Sequence, residues 1–308
     1  MKNFIDISDL SSNALRAIIE EAKSRKIKRK NLNKSAPDED KPFEGKSMAM
    51  IFEKPSTRTR MSFDIAVKQL GGSSIILNPE VIHYGKGDET LKDTAKVLTE
   101  YVDIVMLRTS LHKNLEEFGK YLNIPIINGL SDLSHPCQIM SDILTFEETK
   151  GLITGKVVSW LGDGNNNMSN SLIEAAGKFN FQLKIGSPKK YQPNKKILSW
   201  AKKNKVNLLV TNKPEEAVQN SDCIMTDKWV SMNDNVNKKL KKKTLKSYHV
   251  NKKLMTKANS DAIFMHCLPV GRGEEVTDDV IDGKQSVVWR QALNRVHTQK
   301  SIIKWCLN

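Results

Sequence analysis

At 308 residues the chain has material for about two domains of roughly 150 residues each, and its 39% apolar and 27% charged content is that of a packed globular chain, which excludes a disordered one. The net charge of +14 is concentrated: residues 22–34 carry seven Lys or Arg, residues 238–246 carry six Lys, neither contains an acid, and together they account for all but one charge of the excess. Two short runs of this kind read as solvated helix ends and loops rather than as a broad basic stripe for nucleic acid.

Taken in chain order, short apolar runs alternate with amphipathic stretches, the pattern of βαβ units. Met48 to Phe52 opens as a strand, and Pro55 follows it. A helical stretch with Met61, Ile65 and Leu70 among its apolar positions comes next, stopped by Gly71-Gly72. Ser74–Leu77, Ile104–Leu107 and Ile124–Ile127 read as further strands, and a helix is expected from about Gln138 to Thr149. After a connector at Gly151 to Lys156 the rhythm repeats. Val157–Leu161, Leu183–Ile185, Leu208–Val210, Ile224–Met225 and Ile263–Met265 are strands, and a last helix runs from about Gln291 to Leu307. The fold class expected is α/β, with two doubly wound parallel-sheet domains joined by interdomain helices. The divisions fall at residues 1–134, an interdomain helix at 135–150, a second domain at 151–288, and a C-terminal helix at 289–308 packing back on the first domain. Sheets of this type bind ligands where strands end and helices begin.

No stretch approaches the roughly 18 uninterrupted apolar residues of a membrane span, and Asp6 and Asp9 interrupt what would be the apolar region of a signal peptide. Cys137, Cys223, Cys267 and Cys306 are too few and too scattered for a disulfide framework, and no CxxC pair is present. A cytoplasmic protein with reduced thiols, without membrane or nucleic-acid partners, is the expectation.

Chemistry concentrates in a few segments. Glu53-Lys54-Pro55-Ser56-Thr57-Arg58-Thr59-Arg60 lies between a strand and a helix, and its three hydroxyls and two guanidinium groups sit at a helix N-terminus. Free N–H groups, the helix dipole and bidentate arginines make such a segment a phosphate site. A helix cap needs only one of those hydroxyls. The segment lacks GxxxxGK[ST], which argues against a nucleoside triphosphate. His135-Pro136-Cys137-Gln138 precedes a helix, and His266-Cys267-Leu268-Pro269 follows a strand. A metal site of two His and two Cys is disfavoured, because adjacent strand residues point to opposite faces and His266 and Cys267 would not converge on one ion. Gly162-Asp163-Gly164-Asn165-Asn166-Asn167 lacks the third glycine of a dinucleotide loop; its run of amides suits a small zwitterion better. Asp227 and Ser231 stand four residues apart after a strand.

Taken together, Ser56-Thr57-Arg58-Thr59-Arg60, His135-Pro136-Cys137-Gln138, Asp227 with Ser231-Met232, and His266-Cys267-Leu268-Pro269 resemble the signature set of the aspartate/ornithine carbamoyltransferase family, in its order and over nearly the whole chain. Cys267 and the Ser231-Met232 pair resemble the ornithine branch. Asn233 stands where the family usually has Gly, and Trp289-Arg290-Gln291 replaces a commonly acidic stretch. The resemblance implies carbamoyl transfer from carbamoyl phosphate to L-ornithine, with no cofactor and no metal. It assigns Ser56, Thr57, Arg58, Thr59 and Arg108 to the phosphate. His135, Gln138 and Arg295 fall to the carbamoyl end, and Cys267 and Leu268 complete that pocket. Asn167, Asp227, Ser231 and Met232 are assigned to ornithine, with Cys267 as proton acceptor. It also implies a homotrimer with shared sites, in which His83 reaches the neighbouring subunit's phosphate. Two other readings stay open at this point: a sibling enzyme acting on putrescine or an acylated ornithine, and a nucleic-acid-binding module that uses the lysine-rich segments.

Overall fold

The computed structural model describes residues 2–78, 89–230 and 237–308. Nine strands are present among them: β1 Ser47–Phe52, β2 Ser73–Leu77, β3 Ile104–Arg108, β4 Ile126–Leu130, β5 Val157–Leu161, β6 Gln182–Gly186, β7 Leu208–Thr211, β8 Cys223–Thr226 and β9 Ile263–His266. Every pairing between them is parallel. They form a four-stranded sheet of order β2-β1-β3-β4 and a five-stranded sheet of order β7-β6-β5-β8-β9. The two doubly wound sheets expected from the sequence are therefore the architecture. The chain divides into two compact units, Met1–Leu144 with Leu293–Asn308, and Thr145–Ala292.

Strand order decides where each unit can bind a ligand. In the first sheet β1 leads outward to β2 on one side and β3 leads to β4 on the other, so the winding reverses between β1 and β3. In the second it reverses between β5 and β8. Crevices at such switch points, beyond the carboxyl ends of the strands, are the natural sites of open parallel sheets. Strands covered on both faces need continuous apolar runs, and here Ala49, Ile51, Val105 and Leu107 pack with Leu115 and Phe118 in the first unit. Leu161, Ile224 and Phe264 pack with Trp229, Tyr248 and Val288 in the second.

Some sequence expectations need correcting. The helix after β1 is Thr57–Gln69, and Met61 on it is exposed; Phe63, Ala66 and Val67 supply the buried face instead. β4 begins two residues later than expected and runs through Asn128 and Gly129. Asn128 is tolerated there because its amide donates to Ile5 O at 3.0 Å and Ser134 Oγ at 2.9 Å. The basic runs are not wholly solvated either. Arg25 and Arg29 are buried against Asp38 at 2.8 and 2.6 Å, and Lys300 from the helix Val288–Leu307 reaches the same carboxylate at 2.9 Å. Burial raises the Asp38 pKa, but hydrogen bonds from Lys300, Arg29 and Arg25 outweigh it and hold the carboxyl below its ordinary range. Lys241 of the second run is buried in an ion pair as well. No helix of the described residues is long and apolar enough to cross a membrane.

Candidate active site

At the switch point of the first unit, the helix Thr57–Gln69 starts immediately beyond β1. Ser56 is its N-cap, with Oγ accepting from the Thr59 N–H at 3.4 Å. One hydroxyl of the motif thus serves the helix, while Thr57 is exposed and Arg58 half-buried at the positive end of the dipole. Thr59 is buried, and its hydroxyl gathers the cations. Arg108 Nη1 donates to Thr59 Oγ1 at 3.1 Å, and Arg295 Nη2 donates to the same oxygen at 2.9 Å. Arg108 ends β3 opposite Phe52 of β1, and the register with β4 slips between Leu107 and Arg108. That irregularity lies where the side chain leaves the sheet, as bulges beside active sites do.

Arg295 comes from the C-terminal helix and donates through Nη1 to Gln138 Oε1 at 2.6 Å. Gln138 in turn donates through Nε2 to Asp142 Oδ1 at 2.8 Å, one turn along its own helix. Asp142 was not among the residues singled out from sequence, although its i+4 spacing from Gln138 was a readable signal. His135 is buried beside these groups. Burial, and then the positive charges of Arg295, Arg108 and Arg58, hold its pKa well below the usual histidine range. The ring is therefore neutral at physiological pH. One cluster joins Thr59, Arg108, Gln138 and Arg295 by hydrogen bonds, and the fields of Arg58, Arg108 and Arg295 all reach His135.

At the switch point of the second unit, β5 turns out through Gly162, whose φ of +114° is open to glycine and costly for other residues. Asn166 caps the next helix by accepting from Ser169 N at 2.8 Å, which makes Asn167 its first residue. Asp227 lies just beyond β8, and Cys267 just beyond β9. The Cys267 thiol donates to Asp227 Oδ1 at 3.0 Å.

His266 organises the turn that presents Cys267. Its backbone N–H donates to Gln291 Oε1 at 2.9 Å, and its Nδ1 accepts from the Leu268 N–H at 2.8 Å. With Nδ1 an acceptor, the ring proton resides on Nε2 and points to Glu275 Oε1 at 3.3 Å. Glu275, fully buried, also accepts from the Gly271 N–H. These contacts hold Leu268 at a φ of +60°. Glu275 lies outside every motif, and no local pattern marks it.

The donor atoms of Asp227, His266 and Cys267 lie within 4.8 Å of one another. The expectation that His266 and Cys267 would diverge is thus corrected: β9 ends at His266, so strand alternation does not govern Cys267. The trio has the ligand types of a zinc site. In this arrangement Nδ1 of His266 already accepts the Leu268 N–H and Nε2 carries the proton, so the geometry is that of a hydrogen-bonded network. His83, Ser231 and Met232 lie outside the described residues.

Residues 2–148 match the family described as "Aspartate/ornithine carbamoyltransferase, carbamoyl-P binding domain", and residues 154–306 match "Aspartate/ornithine carbamoyltransferase, Asp/Orn binding domain". The ornithine carbamoyltransferase of Brucella ovis is 48% identical over 307 residues, covering 100% of this chain and 96% of that protein. That of Rhizobium meliloti is 47% identical over 306 residues, covering 99% and 98%. Among solved structures, ornithine carbamoyltransferase from Pyrococcus furiosus superposes with a TM-score of 0.91 at 42% identity, covering 98% of this chain and 96% of that one. The anabolic ornithine carbamoyltransferase from Campylobacter jejuni gives 0.89 at 34% identity, covering 99% of each chain. With both halves of the chain matched and both sheets wound to place these residues at their switch points, the chain belongs to the aspartate/ornithine carbamoyltransferase family.

Proposed function

We propose that this chain is an ornithine carbamoyltransferase, which moves the carbamoyl group of carbamoyl phosphate onto the δ-amine of L-ornithine to give L-citrulline and phosphate. The observation that carries the choice of amine is the Cys267 thiol seated on Asp227 at 3.0 Å. An alkyl ammonium has a pKa near 10.4, so the δ-amine arrives protonated and cannot attack. A carboxylate paired with a thiol can attract the cation and take its proton.

In this reading Ser56, Thr57, Arg58, Thr59 and Arg108 hold the phosphate. Their charge meets the dianion on binding and again when the C–O bond to phosphate breaks and the oxygen leaves with the electron pair. Neutral His135, with Gln138 and Arg295, faces the carbamoyl group and polarises its carbonyl as the new C–N bond forms. Cys267 and Leu268 close that side. Asp227 and Cys267 face the amine, while Asn167, Ser231 and Met232 fix the α-amino and α-carboxylate end. Holding amine and carbonyl together supplies much of the rate, and the step requires neither cofactor nor metal.

The domain roles follow. Residues 1–134 bind carbamoyl phosphate, residues 151–288 bind ornithine, and the segments 135–150 and 289–308 link them. We further place the enzyme in the cytoplasm as a homotrimer, each phosphate site completed by His83 of the neighbouring subunit. Steady-state assays of the purified chain with L-ornithine, putrescine, N-acetylornithine and aspartate test the reading. L-Ornithine is expected to have the highest kcat/KM by orders of magnitude; a preference for any other amine overturns it.

A further inference from the structure

Lys241 is set apart from the other lysines of its run. It belongs to the helix Lys238–Leu245, where Lys238, Lys239 and Lys243 are exposed. Its own ammonium is buried and pairs with Asp163 Oδ2 at 2.6 Å, both side chains being less than a tenth exposed. It also lies 5.5 Å from the centre of the Tyr191 ring. Two charges are withdrawn from water only where partners replace their hydration, and each Asp163 carboxylate oxygen has one, Oδ2 in Lys241 and Oδ1 in the Asn165 N–H. Its Oδ1 accepts from the Asn165 N–H at 2.9 Å. Its backbone carbonyl accepts from Trp160 Nε1 at 2.8 Å and from Asn166 Nδ2 at 3.1 Å. Asn166 is the cap that starts the helix at Asn167. Tyr191, beneath the Lys241 ammonium, accepts through its carbonyl from the Gly164 N–H at 2.8 Å. Residues 162–166 are therefore shaped around Asp163 and fastened from a helix more than seventy positions away.

We infer that Lys241 and Asp163 are a positioning pair for the amino-acid substrate: by fixing the loop that begins the Asn167 helix, they set the contact made to the α-amino and α-carboxylate end. Neither residue touches the reacting atoms. The inference rests on the ornithine reading above, in which Asn167 meets that end of the substrate. Its consequence is selective. Putrescine is ornithine without the α-carboxylate; it keeps the second amine but has no carboxylate for that contact, so it depends less on the loop, and carbamoyl phosphate is bound by other residues.

The test compares Lys241→Met, Lys241→Arg and the double variant Lys241→Met/Asp163→Asn, which removes both charges together and leaves an amide oxygen for the Asn165 N–H. In whichever neutral variant melts cooperatively, the KM for L-ornithine is expected to rise tenfold or more. The KM for carbamoyl phosphate should stay within about twofold, and the kcat/KM ratio of L-ornithine to putrescine should fall by a similar factor of ten. Lys241→Arg, which keeps the cation, should recover most of the ornithine KM. The inference is overturned if the neutral variants keep the wild-type ornithine KM, if all substrate constants worsen together, or if every substitution, Lys241→Arg included, abolishes folding, since the pair is then a stability element. A wild-type enzyme that ignores ornithine would instead refute the underlying assignment of the reaction.

Discussion

Cys267 and Asp227 leave neighbouring strands, β9 and β8, at the same end of the second sheet, and their side chains meet thiol to carboxylate at 3.0 Å. Parallel register brings this about. Thr226 and His266 are Cα partners, so the next residue of each strand stands at the same height. A thiol so placed has its proton already directed at a base, and a substrate ammonium arriving there meets both groups.

Cys267→Ala is accordingly expected to lower kcat by roughly 10²- to 10⁴-fold, the range of a lost proton-transfer partner, and to move the pH–rate profile. Among the four cysteines Cys267 alone is partly exposed. Burial pushes the Cys137 thiol up to about 12 and raises Cys306 as well. An alkylating reagent at neutral pH should therefore modify a single thiol in the folded protein, and peptide mapping should locate it at Cys267 with activity lost in step. Full turnover after complete modification of Cys267 would rule out its role.

Arg58→Ala should leave the fold intact, because Arg58 is half-buried at a helix start and the cap hydrogen bond belongs to Ser56. Losing one charge-assisted phosphate contact costs about 2–3 kcal/mol, so kcat/KM for carbamoyl phosphate should fall by roughly 30- to 150-fold. Circular dichroism and melting temperature near wild type, beside that loss, separate binding from folding.

Much of this was legible in the sequence, for physical reasons that can be named. Five-residue runs such as Val157–Leu161 are apolar but for Ser159 because parallel strands are covered on both faces, and that strand is legible to the residue. β4 was misplaced because Asn128 and Gly129 do not look like strand residues. Gly129 leaves room for the Met106 side chain, since a Cβ would lie 2.3 Å from its Sδ, and only the paired strand reveals this. Met61 is apolar and fits the helical spacing, yet the helix leaves it exposed and turns Phe63, Ala66 and Val67 inward. In the site, the donors of Ser56 to Arg60 announced themselves by density in one segment. That Thr59 would also be the shared acceptor of Arg108 and Arg295 was hidden, because Arg295 is 236 positions away. The burial of Lys241 was hidden for the same reason, whereas Glu275, only nine positions from His266, was hidden because that spacing follows no helix or strand period.

Two buried histidines make stability depend on pH. Burial, with the nearby charges of Lys300, Lys26 and Arg29, pushes His297 down to about 3, and His135 is lowered in the same direction. On acidification the unfolded chain binds these protons near the ordinary value of about 6.5 while the folded chain does not. Stability is thus greatest above that value and falls with pH below it. Between pH 7.5 and 5.5 His297 should cost about 1.4 kcal/mol, and His135 acts in the same direction. His297→Gln should make the decline in urea midpoints across that range shallower by about that amount. An unchanged pH slope would contradict the assignment.

The proposed trimer makes a prediction of its own. If Arg58 of one chain and His83 of its neighbour serve one phosphate site, Arg58→Ala and His83→Ala each yield a nearly inactive assembly. Unfolding and refolding the two together creates some sites with both wild-type residues, because a head-to-tail ring closes on itself. Activity absent from either parent should return. An equal mixture that stays inactive, with subunit exchange confirmed by mass, would show that the site is not shared in this way.

Carbon NMR of the product tests the reaction itself most directly. The purified chain is given carbamoyl phosphate labelled with ¹³C and L-ornithine labelled with ¹⁵N at the δ-position only. Direct transfer predicts a carbamoyl carbon split by one-bond coupling to ¹⁵N, appearing at the same rate as inorganic phosphate. Phosphate released without that doublet, or a carbamoyl carbon bonded to the unlabelled α-nitrogen, would contradict the proposed function.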